Sequence, residues 1–390
     1  MNILKKFIII AIFATANIIF AQVKVVKEAK DRNPSLLFSG IVGNSELSAA
    51  VESDLRNCGW FDLVSQSSAE YVVNGGAAGR AVQVNARKSN GTVISTISIT
   101  IDDSRRTAHA IVDKILQDIF GIKGICSAKI AFCAELSKGV KEIYISDFDG
   151  QGIVQITRSG TLNVEPEWLP NKSGIVFTQY SKMYTDVVEY NIASRRSRRL
   201  AQFPGLNSGA AISPNGQLLA MILSKDRQVE LYIKSFNGGE HRRLTNSKSV
   251  EASPAWSPDG SKICYVSDQS GRPQLYLISA GGGNSIKLQT MGVESVNPAW
   301  SGDNKIAYSS KYGNNYVIVV YDLTGKEAQK VITNAAGDWD SPSWAPDNRH
   351  IVCSRTLGGR GEIYLVDSWT GYMRPLVRTS ANLSMPAFSK

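Results

Sequence analysis

The chain has 390 residues, 20% of them charged, and a formal net charge of +9. This length accommodates two domains. The charge is modest for that length and no nucleic-acid-binding motif accompanies it, so a nucleic-acid partner is not indicated. Five cysteines, an odd number spread along the chain, do not make a disulfide framework.

Residues 1–21 read as a secretory signal. Lys5 and Lys6 give a positive start, Phe7–Phe20 an apolar core, and Ala21 a cleavage residue. A membrane anchor is the alternative, but the apolar run is short against the roughly 20 residues that a span needs. Removing the segment lowers the charge to +7.

Residues 22–125 read as a small α+β domain. Val23–Lys27 alternates weakly, as an edge or mobile strand does. Ser35–Val42 is a strand, and Ser45–Asn57 an amphipathic helix that Ser45 would cap. Phe61–Val64 and Glu70–Asn74 are strands. Val82–Arg87 and Thr92–Ile101 form a hairpin about Asn90-Gly91. Arg105–Phe120 carries Ala108, Ile111, Val112, Ile115 and Ile119 on one face, which predicts a second helix ended by Gly121.

Residues 126–390 are organised by a repeat. Trp168, Ile212, Trp256, Trp300, Trp344 and Phe388 stand 44 residues apart. Each ends a short strand such as Ser253–Trp256. A turn such as Pro258-Asp259-Gly260 follows, then three further strand signals separated by glycine-rich turns. Strand repeats of this period are the blades of a β-propeller. The first blade has no inner strand of its own ahead of Lys129–Phe132, and Met385–Ser389 supplies it. The expectation is an all-β six-bladed propeller closed by the C-terminal strand, with each anchor as a plug between blades. Closure leaves no open sheet edge.

Chemistry-bearing motifs are sparse. The three histidines, His109, His241 and His350, are scattered, and no Cys-x-x-Cys, nucleophile elbow or phosphate loop occurs. Asp147-Phe148-Asp149-Gly150 matches the start of a calcium loop, but its counterparts in other blades are hairpin turns. No catalytic residue, metal or cofactor is expected. Cys264 and Cys353 read as buried apolar residues; Cys126 and Cys133 are read as either free or paired. Arg195, Arg196, Arg198 and Arg199 read as a solvated outer edge. Glu165, Glu251, Glu294, Asp338 and Asp340 precede the anchors and are expected to ring one mouth of the channel. Such a ring would attract a basic peptide or a partner surface. The alternative is a glycosidase or lyase using Glu165 and Asp340 on an envelope polysaccharide. Trp339 is an extra aromatic at that mouth, either a binding hot spot or a packing residue.

Particular residues carry a family resemblance over nearly all of the chain. They are Glu52–Asn57 running to Gly59-Trp60-Phe61, Ala69–Val73, Ile119–Gly124 leading into Lys129–Phe132, Ser257–Lys262, and above all Ser267–Tyr276. With these the chain resembles the TolB family, soluble periplasmic components of the Tol–Pal system of Gram-negative bacteria. The resemblance implies a periplasmic, monomeric, non-enzymatic scaffold that does not span a membrane and that supports outer-membrane integrity and constriction at division. It implies that the propeller holds a Pal-like peptidoglycan-associated lipoprotein, at Leu206, Asn207, Ser208, Gly209, Glu251 and Ala252. It also implies that the mature N-terminus, here Gln22, Val23, Lys24 and Val25 through Lys27, engages a TolA-like inner-membrane protein. The family often has His-Asn-Gly where this chain reads Leu206-Asn207-Ser208.

Overall fold

The computed structural model describes residues 32–65 and 69–390. The signal segment and the partner-binding expectation for Gln22–Val25 lie outside the described residues. Two compact units divide the chain, one ending at Ser127 and one running from Ala128 to Lys390.

The first unit is α+β. Its strands are β1 (Ser35–Val42), β2 (Asp62–Leu63), β3 (Tyr71–Ala78), β4 (Ala81–Lys88) and β5 (Val93–Thr100). They form one sheet in the order β2-β1-β3-β4-β5. β1 pairs in parallel with β2 and β3, and the other pairs are antiparallel. Helix α1 (Ser45–Asn57) buries Leu47, Val51 and Leu55. Helix α2 (Ser104–Phe120) buries Ile111, Val112, Ile115 and Ile119, the face its periodicity predicts. The cap of α1 is Asn44 rather than Ser45: the Asn44 side chain accepts from Leu47 N at 2.9 Å. Asn44 keeps an extended backbone, as an N-cap must, while Ser45 is already helical. Gly121 ends α2 in the left-handed conformation.

The second unit is the propeller, with six four-stranded antiparallel sheets. The inner strands of blades two to six are Asn163–Trp168, Asn207–Ile212, Glu251–Trp256, Ser295–Trp300 and Asp338–Trp344. Blade one is built from both chain ends. Its inner strand, Asn382–Phe388, pairs with Lys129–Ser137, matching Leu383 to Ala134 and Phe388 to Ile130. Ser389 N donates to Lys129 O and Lys129 N to Ser389 Oγ, each at 2.8 Å. The sheet edges that an open ring would expose are therefore paired.

The anchors fill the seams between blades. Trp168 joins a buried cluster with Ala131 and Ile143 of blade one. Ile212 joins Val176 and Val187 of blade two. Trp256 joins Ala220, Leu231 and Ile233 of blade three. Trp300 and Trp344 do the same with blades four and five. Three indoles also cross the seam with a hydrogen bond. Trp168 Nε1 donates to Ala387 O at 3.0 Å, Trp256 Nε1 to Ala211 O at 2.9 Å, and Trp344 Nε1 to Ala299 O at 3.1 Å. Each acceptor is the carbonyl of the alanine just before the preceding blade's anchor.

All five cysteines are buried and free, so Cys126 and Cys133 are unpaired. Burial pushes the Cys133 thiol up to about 12. No helix among the described residues is long and apolar enough to cross a membrane.

Trp344 is fully buried between blades five and six. Trp344→Ala should cost about 3–5 kcal/mol, as other large-to-small core changes do. Urea unfolding followed by circular dichroism checks this. A loss well under 1 kcal/mol would contradict the seam-plug role.

Candidate functional site

In every blade the turn from second to third strand, and the link to the next blade, emerge at the same end of the propeller. These loops form the rim to which most of the sequence-predicted site residues belong.

Asn207, Glu251 and Trp339 are buried beneath that rim, and for Trp339 the packing alternative is the one that the burial fits. All three occupy one repeat position, five before the anchor, and that position is buried in every blade: Asn163, Asn207, Glu251, Ser295, Trp339 and Leu383 are at most 3% exposed. The reason is that the link between blades needs an internal brace. Asn207 Oδ1 accepts from Phe203 N at 3.0 Å, and its Nδ2 donates to Phe203 O and Thr185 O, both at 2.7 Å. Trp339 Nε1 donates to Ala335 O at 2.8 Å, and its ring meets Tyr364 edge-on at 5.1 Å. Glu251 Oε1 accepts from Ser247 Oγ at 2.8 Å.

Two residues further along, each inner strand carries a bulge. Glu165, Gly209, Ser253, Asn297, Ser341 and Met385 all have φ between 47° and 59° there. Five are not glycine, and each of those five precedes a proline. A non-glycine residue in this region is strained by about 1–3 kcal/mol, so the fold must hold it in place. Bonds between neighbouring inner strands do so. Gly209 N donates to Glu165 Oε2 at 3.0 Å, Ser253 Oγ to Asn297 Oδ1 at 2.9 Å, and Asn297 Nδ2 to Asp340 Oδ1 at 2.7 Å. Gly209 also has little room: a Cβ there would lie 3.2 Å from Ile222 Cγ1 and 3.3 Å from Pro254 Cδ.

The predicted acidic mouth is therefore largely consumed from within. Glu165 holds Thr178 Oγ1 and Gly209 N. Asp340 holds Asn297, Ser309 Oγ and Ser341 N. Asp338 accepts from Tyr316 N at 3.0 Å. Glu294 accepts from Tyr316 OH at 2.6 Å and from Lys311 Nζ at 3.3 Å, and these partners hold its carboxyl below the ordinary range. Glu165 and Asp340 are engaged as struts, an arrangement that suits bracing better than general acid or base work. Leu206, Ser208, Gly209 and Ala252 are half-buried on the same inner strands and links.

Apolar side chains are what the rim exposes. Of the large apolar residues exposed on the propeller unit, Leu136, Tyr180, Met183, Tyr184, Val250, Val293, Tyr312 and Leu357 all lie on these loops or strand ends. Met183 is 77% exposed. Exposed apolar residues gathered on one face mark an interaction surface. The sequence reading missed them, although Leu136, Tyr180 and Tyr312 stand in one register of the 44-residue repeat. It also missed the opposite end of the inner strands. There the C-terminal Lys390 of blade one reaches past blade six, its Nζ donating to Trp300 O at 3.1 Å. The Lys390 ammonium and the Glu167 carboxyl act on each other there, the charge of each favouring the ionised form of the other.

Glu251 gives a pH-dependent prediction. Burial raises its carboxyl pKa, opposed by hydrogen bonds from Ser247 and Ser267 and reinforced by the charges of Glu230 and Asp268. A carboxyl whose folded pKa lies above its unfolded one takes stability away as pH rises through that window. Glu251→Gln should thus raise the urea midpoint at neutral pH. The gain should vanish once acid protonates the wild-type carboxyl in both states. A midpoint unchanged or lowered at neutral pH would contradict the assignment.

Comparison with known proteins places this geometry. The family described as the TolB beta propeller domain matches residues 116–390. The Tol-Pal system protein TolB of Legionella pneumophila (strain Corby) is 26% identical over 196 residues, which are 44% of this chain and 47% of that one. That of Ruthia magnifica is 29% identical over 133 residues, 33% of this chain and 31% of that one. The chain thus aligns with a third to a half of the length of these relatives. The crystal structure of TolB from Acinetobacter baumannii superposes with a TM-score of 0.83 at 22% identity, covering 92% of this chain and 97% of that one. The matched family model spans all six blades and their seams, and the chain belongs to the TolB β-propeller family.

Proposed function

We propose that this chain is a non-enzymatic periplasmic scaffold of the Tol–Pal system. Its propeller rim holds a Pal-like peptidoglycan-associated lipoprotein. Its mature N-terminal segment, Gln22–Lys27, engages a TolA-like inner-membrane protein by adding an extended strand to that partner's sheet. Holding both would link the outer membrane to an inner-membrane complex and support envelope integrity and constriction during division. Membership of the TolB family supports this reading, and so does the name "Tol-Pal system protein" carried by the relatives.

The observation that carries it is the set of exposed apolar residues on the rim loops, Met183, Tyr184 and Val250 among them; eight of the thirteen large apolar residues exposed on the propeller unit lie there. Such residues are stable in water at a cost, and a partner that covers them recovers it. The strand edges are closed and the inner-strand carboxylates are braced, which leaves loop-mediated docking as the chemistry this face does best. The older candidates Glu251 and Asn207 act beneath the surface, shaping the links that display it.

Calorimetry with the lipoprotein domain from the same genome tests the reading. Micromolar or tighter binding is expected, and Met183→Asp with Tyr184→Ser should weaken it at least tenfold, about 1.4 kcal/mol. Folded wild-type protein that shows no binding would overturn the proposal for this partner.

A further inference from the structure

The rim also shows cations to solvent. Lys138, Lys182, Arg227, Lys248, Arg272 and Arg378 stand exposed on the rim loops and blade links. None of the six side chains has an ion pair or hydrogen bond among the described residues, although the Arg272 charge acts on the Glu294 carboxyl. The nearby carboxylates are engaged. Asp226 takes Lys225 and Tyr232 OH, Asp268 takes Val250 N, and Glu362 takes Tyr364 OH, while Glu294 and Asp338 are held by Tyr316. Only Glu135, half-buried, has no such partner among the described residues. The cations are spread over blades one to four and the closing link, interleaved with Leu136, Met183 and Tyr184. An outward-facing surface of unpaired cations around apolar side chains attracts carboxylates at long range and holds apolar atoms at contact.

We propose that the rim recognises an acidic protein face. On the scaffold reading above, on which this rests, the lipoprotein domain docks through clustered Asp and Glu carboxylates set around apolar residues. The cations would act mainly on the rate of encounter and on orientation, and the apolar residues on the lifetime of the complex.

The test is the association rate of the mature chain with the lipoprotein domain, measured by stopped-flow at low salt and at about 0.15 M, where screening acts beyond about 8 Å. One variant carries Lys182→Glu, Arg227→Glu, Lys248→Glu and Arg272→Glu. A control carries Arg195→Glu and Arg196→Glu, exposed on the outer edge of blade two away from the rim. Circular dichroism and the urea midpoint confirm that both fold. The expected result is a wild-type rate that falls with salt, a rim variant at least tenfold slower at low salt, and a control close to wild type. A wild-type rate flat in salt, or a rim variant that associates like wild type, would overturn the electrostatic proposal while leaving the scaffold intact. Equal slowing by the control would overturn it too, since net charge rather than the rim would then be responsible. Sedimentation with phosphatidylglycerol vesicles is the second arm: rim-dependent vesicle binding that the lipoprotein domain does not compete for would assign the cations to lipid instead. No association with the lipoprotein domain at any salt would overturn this proposal and the scaffold reading together.

Discussion

The seam between neighbouring blades is the constraint on which the rest of the molecule depends. A four-stranded sheet has two faces and cannot bury both alone. In this chain one large residue per blade fills the gap, and in three seams an indole N–H also reaches across to the preceding strand. The acceptors are the carbonyls of Ala387, Ala211 and Ala299, each just before an anchor. The same seam sets where the ring closes, because blade one lacks its inner strand until Asn382–Phe388 docks against Lys129–Ser137.

The seams fix the inner strands, and the inner strands can then hold strain. Five residues before proline stand in the left-handed region at the bulges, and three of them, Glu165, Ser253 and Asn297, are also bonded to the next blade. The carboxylates of Glu165 and Asp340 are spent on that work. Polar groups on the inner strands thus brace the ring, and the loops beyond them are left to meet other molecules. Division of labour along a single strand explains how a uniform repeat carries a non-uniform surface: the braced positions are buried in all six blades, while the loop residues differ from blade to blade.

Much of the fold was legible in the residues. The 44-residue spacing of Trp168 to Phe388 gives blade number, plug and closure together, because the same packing problem recurs at each seam. The two helices of the first unit follow from apolar periodicity, with the cap displaced by one residue because Asn44 competes better than Ser45 for the first free N–H groups. The site was less legible. Asn207, Glu251 and Trp339 are polar or amphipathic and precede an anchor, which reads as a mouth residue. Their shared register, with Asn163 and Ser295, was the signal that the position is internal. Exposure of Met183 and Tyr184 could not be read from residue type, since large apolar residues are ordinarily buried. Nor could it be read which rim cations keep free side chains, since that depends on the loops the fold brings together. Glu294 reads in the sequence as a free mouth carboxylate, but in the fold it accepts from Tyr316 OH and Lys311 Nζ.

Hydrogen exchange of the mature chain, with and without the lipoprotein domain, tests the central claim most directly, because it reports which loops a partner covers without any substitution. The account predicts slowed exchange in the rim loops around Tyr180–Tyr184, Ser247–Val250 and Asp268–Arg272. The outer edge Arg196–Ala201 should be unchanged. Protection confined to that edge or to the turns at the Lys390 end would contradict the rim as the binding face.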